Sequence, residues 1–118
     1  MYVDGFLLAV PKKNLKAYRS LARRFAALAK EHGALSVVES VADDVKPGKL
    51  TSFPQSVKLK KGEVVVFSWI TFKSRAHRDR VNGKIMKDPR MGTMMQSGKT
   101  PFDAKRMIFG GFEAIVQA

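Results

Sequence analysis

The chain has 118 residues, of which 45% are hydrophobic and 27% charged, and this composition is typical of one folded domain rather than a disordered segment. It contains no cysteine, which excludes disulfides, thiolate metal sites and a cysteine nucleophile. The formal net charge of +12 predicts nonspecific affinity for polyanions, but it does not indicate a specific nucleic-acid site. We therefore expect a single domain over residues 1–118.

The first part of the chain predicts a strand, a helix and a second strand. The segment Tyr2 to Val10 is rich in β-forming residues and ends at Pro11. From Lys12 to His32, apolar residues recur every three or four positions, which predicts an amphipathic helix that stops at Gly33. The segment Ala34 to Ala42 returns to alternation and predicts the second strand.

The second part predicts a long connection, two strands and a helix with one further turn. Asp43 to Gly62 contains many turn residues and is longer than a hairpin loop. Glu63 to Phe72 is the strongest strand signal, and Ser74 to Lys87 predicts a helix with Ser74 as its N-cap. Arg90 to Gln96 predicts one more helical turn, and Arg106 to Val116 predicts the last strand.

This element order, β-α-β-β-α-β, predicts a ferredoxin-like α+β fold with an antiparallel sheet and both helices on one face. In the third strand, both sets of alternating side chains are apolar: Val64, Val66, Ile70 and Phe72 on one side, and Val65, Phe67 and Trp69 on the other. Because burial contributes roughly 25 cal/mol per Å² of apolar surface, both faces require a cover. We expect a homodimer that packs sheet to sheet.

The sequence also bears on the location of the protein. No apolar run is long enough to span a bilayer, so we expect no membrane association. The N-terminal segment MYVDGFLLAVPKK has no basic region before its apolar stretch, unlike a signal peptide. We expect a cytoplasmic protein.

Several motifs carry a resemblance over essentially the whole chain. They are YVDGF at residues 2–6, HGAL at 32–35, VVFSWI at 65–70, DPRM at 88–91 and PFDAKRMIFGGFE at 101–113. Together they resemble the YbaA-like family of uncharacterised bacterial proteins. The resemblance implies the dimeric α+β barrel superfamily, whose members include monooxygenases, small isomerases and ligand-binding regulators. It implies no assigned activity and no cofactor, so it leaves open whether the protein is an enzyme.

Three residues are candidate catalytic groups. Asp4 lies in an apolar strand, where it could be a general base with a raised pKa or a structural partner of Arg106 or Lys105. The structural pair is the favoured interpretation. His77, in the first turn of the second helix, could be an acid or base near neutral pH, although a packed or surface histidine is favoured.

Three residues are candidate ligand-binding groups. Ser68 and Trp69 in the third strand, and Met91 with its neighbouring methionines, could line a pocket, whereas core or dimer packing is the favoured interpretation. The two histidines lack H-x-x-x-H spacing, so we expect no metal site. Gly110-Gly111 does not match a phosphate loop and predicts a bulge or the close approach of another backbone.

Three functions remain open, and we favour the first. It is a homodimer with a small-molecule pocket between sheet and helices, either binding or transforming its ligand. The second is polyanion binding through the helices, since residues 11–31 carry seven Lys/Arg and one acid, and residues 73–90 carry seven and two. The third is a structural role without a ligand. The third strand lacks the RNA-recognition motif, which argues against sequence-specific RNA binding by the sheet.

Overall fold

The computed structural model describes residues 1–96 and 100–118. The regular elements of these residues are, in chain order, β1 (Tyr2–Pro11), α1 (Leu15–Glu31), β2 (Ser36–Val41), α2 (Phe53–Ser56), β3 (Glu63–Phe72), α3 (Arg75–Lys87), α4 (Pro89–Met94) and β4 (Ile108–Glu113). The strands form one antiparallel sheet in the order β2-β3-β1-β4. The predicted ferredoxin-like α+β fold is confirmed. Within the described ranges, no helix is long and apolar enough to cross a membrane.

The boundaries differ from the predicted ones mainly where the chain leaves the sheet. The backbone amide of Lys12 donates to the carbonyl of Gly62 at 2.8 Å, so Lys12 is still tied to the residue before β3 and α1 begins only at Leu15. At the same end of the sheet, a 3-10 turn over Ala104–Arg106 delays β4 until Ile108. Ser74 caps α3 as predicted, because its side chain accepts a hydrogen bond from the amide of His77.

The sheet has two faces that the strand register defines. Side chains of one face pack against the helices, and we call this the helical face: Tyr2, Asp4, Phe6, Leu8 and Val10 of β1, with Val66, Ser68, Ile70 and Phe72 of β3. Neighbouring residues on the same strands, including Leu7, Val65, Phe67 and Trp69, belong to the opposite side, which we call the outer face. The predicted alternation within the third strand is confirmed.

Helices α1 and α3 supply the other half of the core. The inward side chains of α1 that are buried are Tyr18, Leu21, Ala22, Leu28 and Ala29. On α3 the buried residues are Val81 and Ile85, which join a cluster with Phe72. This packing covers the helical face of the sheet and leaves the outer face to other parts of the chain.

The connection between β2 and β3 covers one end of the outer face. Val57, just after α2, is 1% exposed and packs with Ala9 and Val65. The rest of the outer face stays open, since Phe67 is 44% and Phe112 64% exposed. The outer face is therefore an apolar surface that this chain covers only in part.

The glycine pair of β4 has a different role from the predicted one. β1 and β4 pair in continuous register, with Asp4 opposite Gly111 and Gly5 opposite Gly110, so the predicted bulge is wrong. A side chain at position 111 would collide with Tyr2, whose ring carbon lies 2.7 Å from the place of a Cβ atom. Gly111 thus makes room for a buried ring of the same chain.

Candidate functional site

A cavity of about 210 Å³ lies between the helical face of the sheet and helices α1 and α4. The sheet side consists of Phe6, Leu8, Ser68 and Ile70. The other walls are mostly apolar and rich in methionine: Tyr18, Leu21, Ala22, Phe25, Glu39, Met91, Met94, Met95, Phe102, Ala104 and Met107. We call this space the central cavity.

One hydrogen-bonded pair and one serine bring polar groups to the central cavity. The hydroxyl of Tyr18, on α1, donates to Oε1 of Glu39, on β2, at 2.6 Å. Burial raises the pKa of Glu39, and the bond from Tyr18 only partly opposes it. Burial and the nearby carboxylate also raise the pKa of Tyr18, so its phenol keeps the proton. Ser68 lies on the floor of the cavity and is almost fully buried.

A second cavity of about 350 Å³ adjoins the first and contains the Asp4 carboxylate. Asp4 accepts hydrogen bonds from Arg78 Nη1 at 3.1 Å and from Asn82 Nδ2 at 3.3 Å, while Arg78 Nη2 donates to the hydroxyl of Tyr2 at 3.2 Å. Burial raises the pKa of Asp4, and the bonds from Asn82 and Arg78 oppose this effect. The two cavities share walls, among them Phe6.

The predicted partner of Asp4 is wrong. Asp4 lies opposite Gly111 in β4, whereas Arg106 precedes β4 at the far end of the strand. Since Asp4 is on the helical face, the cation that reaches it comes from α3 and is Arg78. Asp4 is thus a buried and paired carboxylate, with a partner 74 residues away in the chain.

A third space runs along the edge of the sheet and opens toward solvent. It has a volume of about 540 Å³ and lies between α1 and the edge strand β2, and we call it the lateral groove. It shares Tyr18, Ala22 and Glu39 with the central cavity. The side chains of Lys16, Arg19 and Arg23 line its α1 side, and apolar residues form most of the remaining walls.

Comparison with known proteins places the chain among relatives of one family. A family model described as "Protein of unknown function (DUF1428)" matches residues 1–104. The uncharacterized protein YbaA of Escherichia coli (strain K12) is 52% identical over 115 residues, which cover 98% of this chain and 97% of YbaA. The YbaA proteins of Escherichia coli O157:H7 and Shigella flexneri match to the same extent. This chain belongs to the DUF1428 family. The YbaA-like resemblance of its motifs is confirmed.

In this DUF1428 protein, two of the three predicted ligand-binding residues lie at the central cavity. Ser68 and Met91 line it, from the sheet and from α4. Trp69 lies on the outer face, where its ring packs edge-on against Phe67 with a centroid distance of 5.4 Å. The alternation of a strand requires this separation, because adjacent residues point to opposite faces.

His77 lies at the start of α3 and does not line the central cavity. Its Nδ1 accepts a hydrogen bond from the amide of Lys73 at 3.0 Å, and its ring packs edge-on against Phe72. These contacts match the packed histidine that the sequence favours.

Arg106 holds the connection between β2 and β3 against the sheet. Its guanidinium donates two hydrogen bonds to the carboxylate of Glu63, at 2.9 and 2.6 Å, and one to the carbonyl of Lys58 at 3.1 Å. Asp103 accepts a further bond from Nε at 3.2 Å. The bonds from Arg106 lower the pKa of Glu63 to about 2. Arg106 therefore acts as a clamp on the segment that covers the outer face.

A cluster of charged residues joins the end of α1 to the start of α4. The ligating atoms of Glu31, His32 and Asp88 lie within 4.8 Å of one another, a spacing that a metal ion could use. Arg90 pairs with both carboxylates, and His32 Nε2 lies 2.8 Å from Asp88. The hydrogen bonds from Arg90 and His32 lower the pKa of Asp88. The cluster thus links the two helices through the ion pairs of Arg90 and the contact between His32 and Asp88.

Sequence reasoning did not identify the pairs Tyr18–Glu39 and Asp4–Arg78 that the fold brings together. A signal for the first was present, because Glu39 alternates with Val37 and Val41 and is the one acid on that side of β2. A carboxylate at such a position predicts a buried partner. The cation for Asp4 carried no comparable signal, since α3 is basic along its length.

Proposed function

We propose that this DUF1428 protein is a homodimer that binds a small, mostly apolar molecule in the central cavity. The residues that line this cavity support the proposal, since apolar walls surround a single tyrosine–glutamate pair and one serine. Apolar walls with a few convergent polar groups are typical of ligand sites. The flexible thioether side chains of Met91, Met94 and Met95 support this function, because methionine adapts to ligands of different shape.

The polar pair favours binding over chemistry. Tyr18 keeps its proton and donates a hydrogen bond to Glu39, so each group already has a partner within the chain. A ligand hydroxyl could donate a hydrogen bond to the Glu39 carboxylate from the cavity side. We therefore propose that the ligand is mostly apolar and carries one polar group.

Methionine methyl NMR tests the proposal directly. In protein labelled with ¹³C at the methionine methyl groups, 1-octanol should shift the signals of the cavity residues Met91, Met94, Met95 and Met107. The signal of Met1 should stay in place, because Met1 is outside this lining. Saturable shifts confined to the cavity methionines support the site.

A matched pair of variants on α1 gives the control. Ala22→Leu places a larger side chain in the central cavity and should abolish the shifts. Ala17→Leu makes the same change on the exposed side of α1 and should leave them intact. Circular dichroism confirms that both variants fold. Equal shifts in the two variants, or none in the wild type with octanol and a series of aromatic alcohols, would rule out the cavity as a binding site.

The outer face supports the homodimer. Phe67 on β3 and both Ile108 and Phe112 on β4, the two strands that flank β1, are exposed there, next to Trp69. Exposed apolar surfaces of this extent mark interaction sites. A second copy of the chain is the cover that we propose, because twofold packing lets the same surface shield itself.

The oligomeric state tests this part of the proposal. The wild type should sediment as a dimer at micromolar concentration. Phe67→Glu places a charge on the outer face and should yield a monomer, because burial of an unpaired charge opposes association. Met86→Glu makes a similar change on α3, where Met86 is 72% exposed, and should leave the dimer intact. A monomeric wild type would refute the dimer and leave the ligand proposal standing.

A further inference from the structure

We infer that the ligand is an anionic amphiphile, with its apolar chain in the central cavity and its anionic head group in the lateral groove against Lys16, Arg19 and Arg23. This inference rests on the proposed function and names the chemical class of its ligand. A single-chain carboxylate is the simplest molecule of this kind.

The two spaces meet at one hydrogen-bonded pair, Tyr18–Glu39, which lies on their common boundary. Tyr18, Ala22 and Glu39 line both the central cavity and the lateral groove. The central cavity, at about 210 Å³, is smaller than most ligand pockets, which measure roughly 300–1,000 Å³. The lateral groove adds about 540 Å³ along the same path. A ligand that occupies both spaces matches the usual size, and it has to be elongated.

The cations of the lateral groove form one row. Lys16, Arg19 and Arg23 follow a spacing of three and four residues, so they project from the same side of α1. In the part of the chain that the structure describes, none of the three forms an ion pair. The one carboxylate of the groove, that of Glu39, is engaged by the hydroxyl of Tyr18. The row is thus available to an anion.

The polarity changes along the path in the order that an amphiphile requires. At the solvent end are the three cations, with Ser40 across the groove. The other walls of the groove are apolar side chains, of which Ala22 and Val66 are buried: Leu15, Ala22, Ala26, Val37, Val41 and Val66. On the other side of Tyr18 lies the methionine-rich central cavity. A charged head placed outside and an alkyl chain placed inside therefore match the walls that each would contact.

Octanoate and 1-octanol separate this inference from the proposed function. They share an eight-carbon chain, and octanoate carries the negative charge at neutral pH. Isothermal titration calorimetry would compare their affinities, and the methionine methyl signals would show whether each probe binds in the central cavity. The wild type should bind octanoate at least about tenfold more tightly than octanol, since three nearby cations each contribute a modest attraction. Added salt should weaken octanoate alone.

Two charge-matched variants locate the head group. Lys16→Gln/Arg19→Gln/Arg23→Gln should weaken octanoate about tenfold and leave octanol within about twofold. Arg80→Gln/Lys84→Gln/Lys87→Gln removes the same charge from exposed positions of α3 and should change neither affinity. An equal loss of octanoate affinity in both variants would mean that net charge alone causes the effect, and this result would overturn the inference.

The remaining outcomes are equally decisive. Equal binding of octanol and octanoate by the wild type would overturn the anionic head group while the central cavity remains a ligand site. Octanoate binding without shifts of the cavity methionines would mean that the chain stays in the groove, and this also overturns the inference. Absence of binding by both probes counts against the proposed function itself.

Discussion

The ion pair between Glu63 and Arg106 allows a quantitative prediction. Arg106 was a candidate catalytic residue, but in the structure it holds the connection between β2 and β3 against the sheet. The perturbation is Glu63→Gln, which removes the charge and keeps the size. The pKa of Glu63 is lowered from 4.5 to about 2, and at about 1.4 kcal/mol per pKa unit the upper limit of the stabilisation is about 3 kcal/mol. Solvent still reaches the edge of this pair, whose side chains are 16% and 8% exposed, and weakens the attraction, so we expect about 1–2 kcal/mol at neutral pH.

The dependence on pH has a definite sign. The folded state binds the proton of Glu63 less readily than the unfolded state does. The contribution of the Glu63–Arg106 pair to the free energy of unfolding is therefore complete above the unfolded pKa near 4.5. It is lost as the pH falls toward about 2. Urea unfolding of the wild type and Glu63→Gln at a series of pH values from 7 to 3 measures the difference. That difference should shrink steadily below pH 5.

A control on the same connection isolates the clamp from net charge. Asp44→Asn also removes one negative charge, and Asp44 forms no ion pair with any residue of the described ranges. We expect a small effect of this substitution on the free energy of unfolding, without the decrease below pH 5 that we expect for Glu63→Gln. A difference between the wild type and Glu63→Gln that stays constant from pH 7 to pH 3 would refute the assignment of Arg106 as a clamp.

Two further predictions concern the helical face of the sheet. Gly111→Ala places a methyl group against the buried ring of Tyr2 and should lower the free energy of unfolding by about 1–3 kcal/mol, whereas Gly110→Ala, whose nearest contact is 3.8 Å away, should have little effect in the same denaturation assay. Tyr18→Phe removes the donor to Glu39 and should raise the pKa of that carboxylate further, as measured by carboxyl ¹³C NMR; an unchanged pKa would contradict the hydrogen bond.

The local pattern of the chain was sufficient to predict the sheet. The bounds of β3, Glu63–Phe72, agree with the prediction because eight of its ten residues are β-branched or aromatic and no other pattern competes there. Helix α2 was missed, although Ser52 accepts a hydrogen bond from the amide of Gln55 and Pro54 follows in its first turn. A helix of four residues is too short to show periodicity, so only its cap carried a signal.

The site could be predicted less well, because it depends on contacts between distant segments. Ser68 and Met91 were identified as residue types that line pockets, and both lie at the central cavity. Trp69 was a candidate for the same pocket, with core or dimer packing as the favoured interpretation. Its neighbour Ser68 faces the helices, so the pleat of the strand places Trp69 on the outer face. The partner of Asp4 depends on how α3 lies across the sheet, which no local pattern specifies.

Because side chains of β3 alternate between the two faces of the sheet, an insertion or deletion within this strand would change which side chains lie on each face. Phe67, Ser68 and Trp69 are consecutive, yet the middle one faces the central cavity and its neighbours lie on the outer face, where we propose the second copy. One residue added upstream in the strand would exchange these roles, turning the aromatic rings inward and the hydroxyl outward. Length changes should therefore accumulate between β2 and β3 and be absent from the strands, even where individual side chains vary freely.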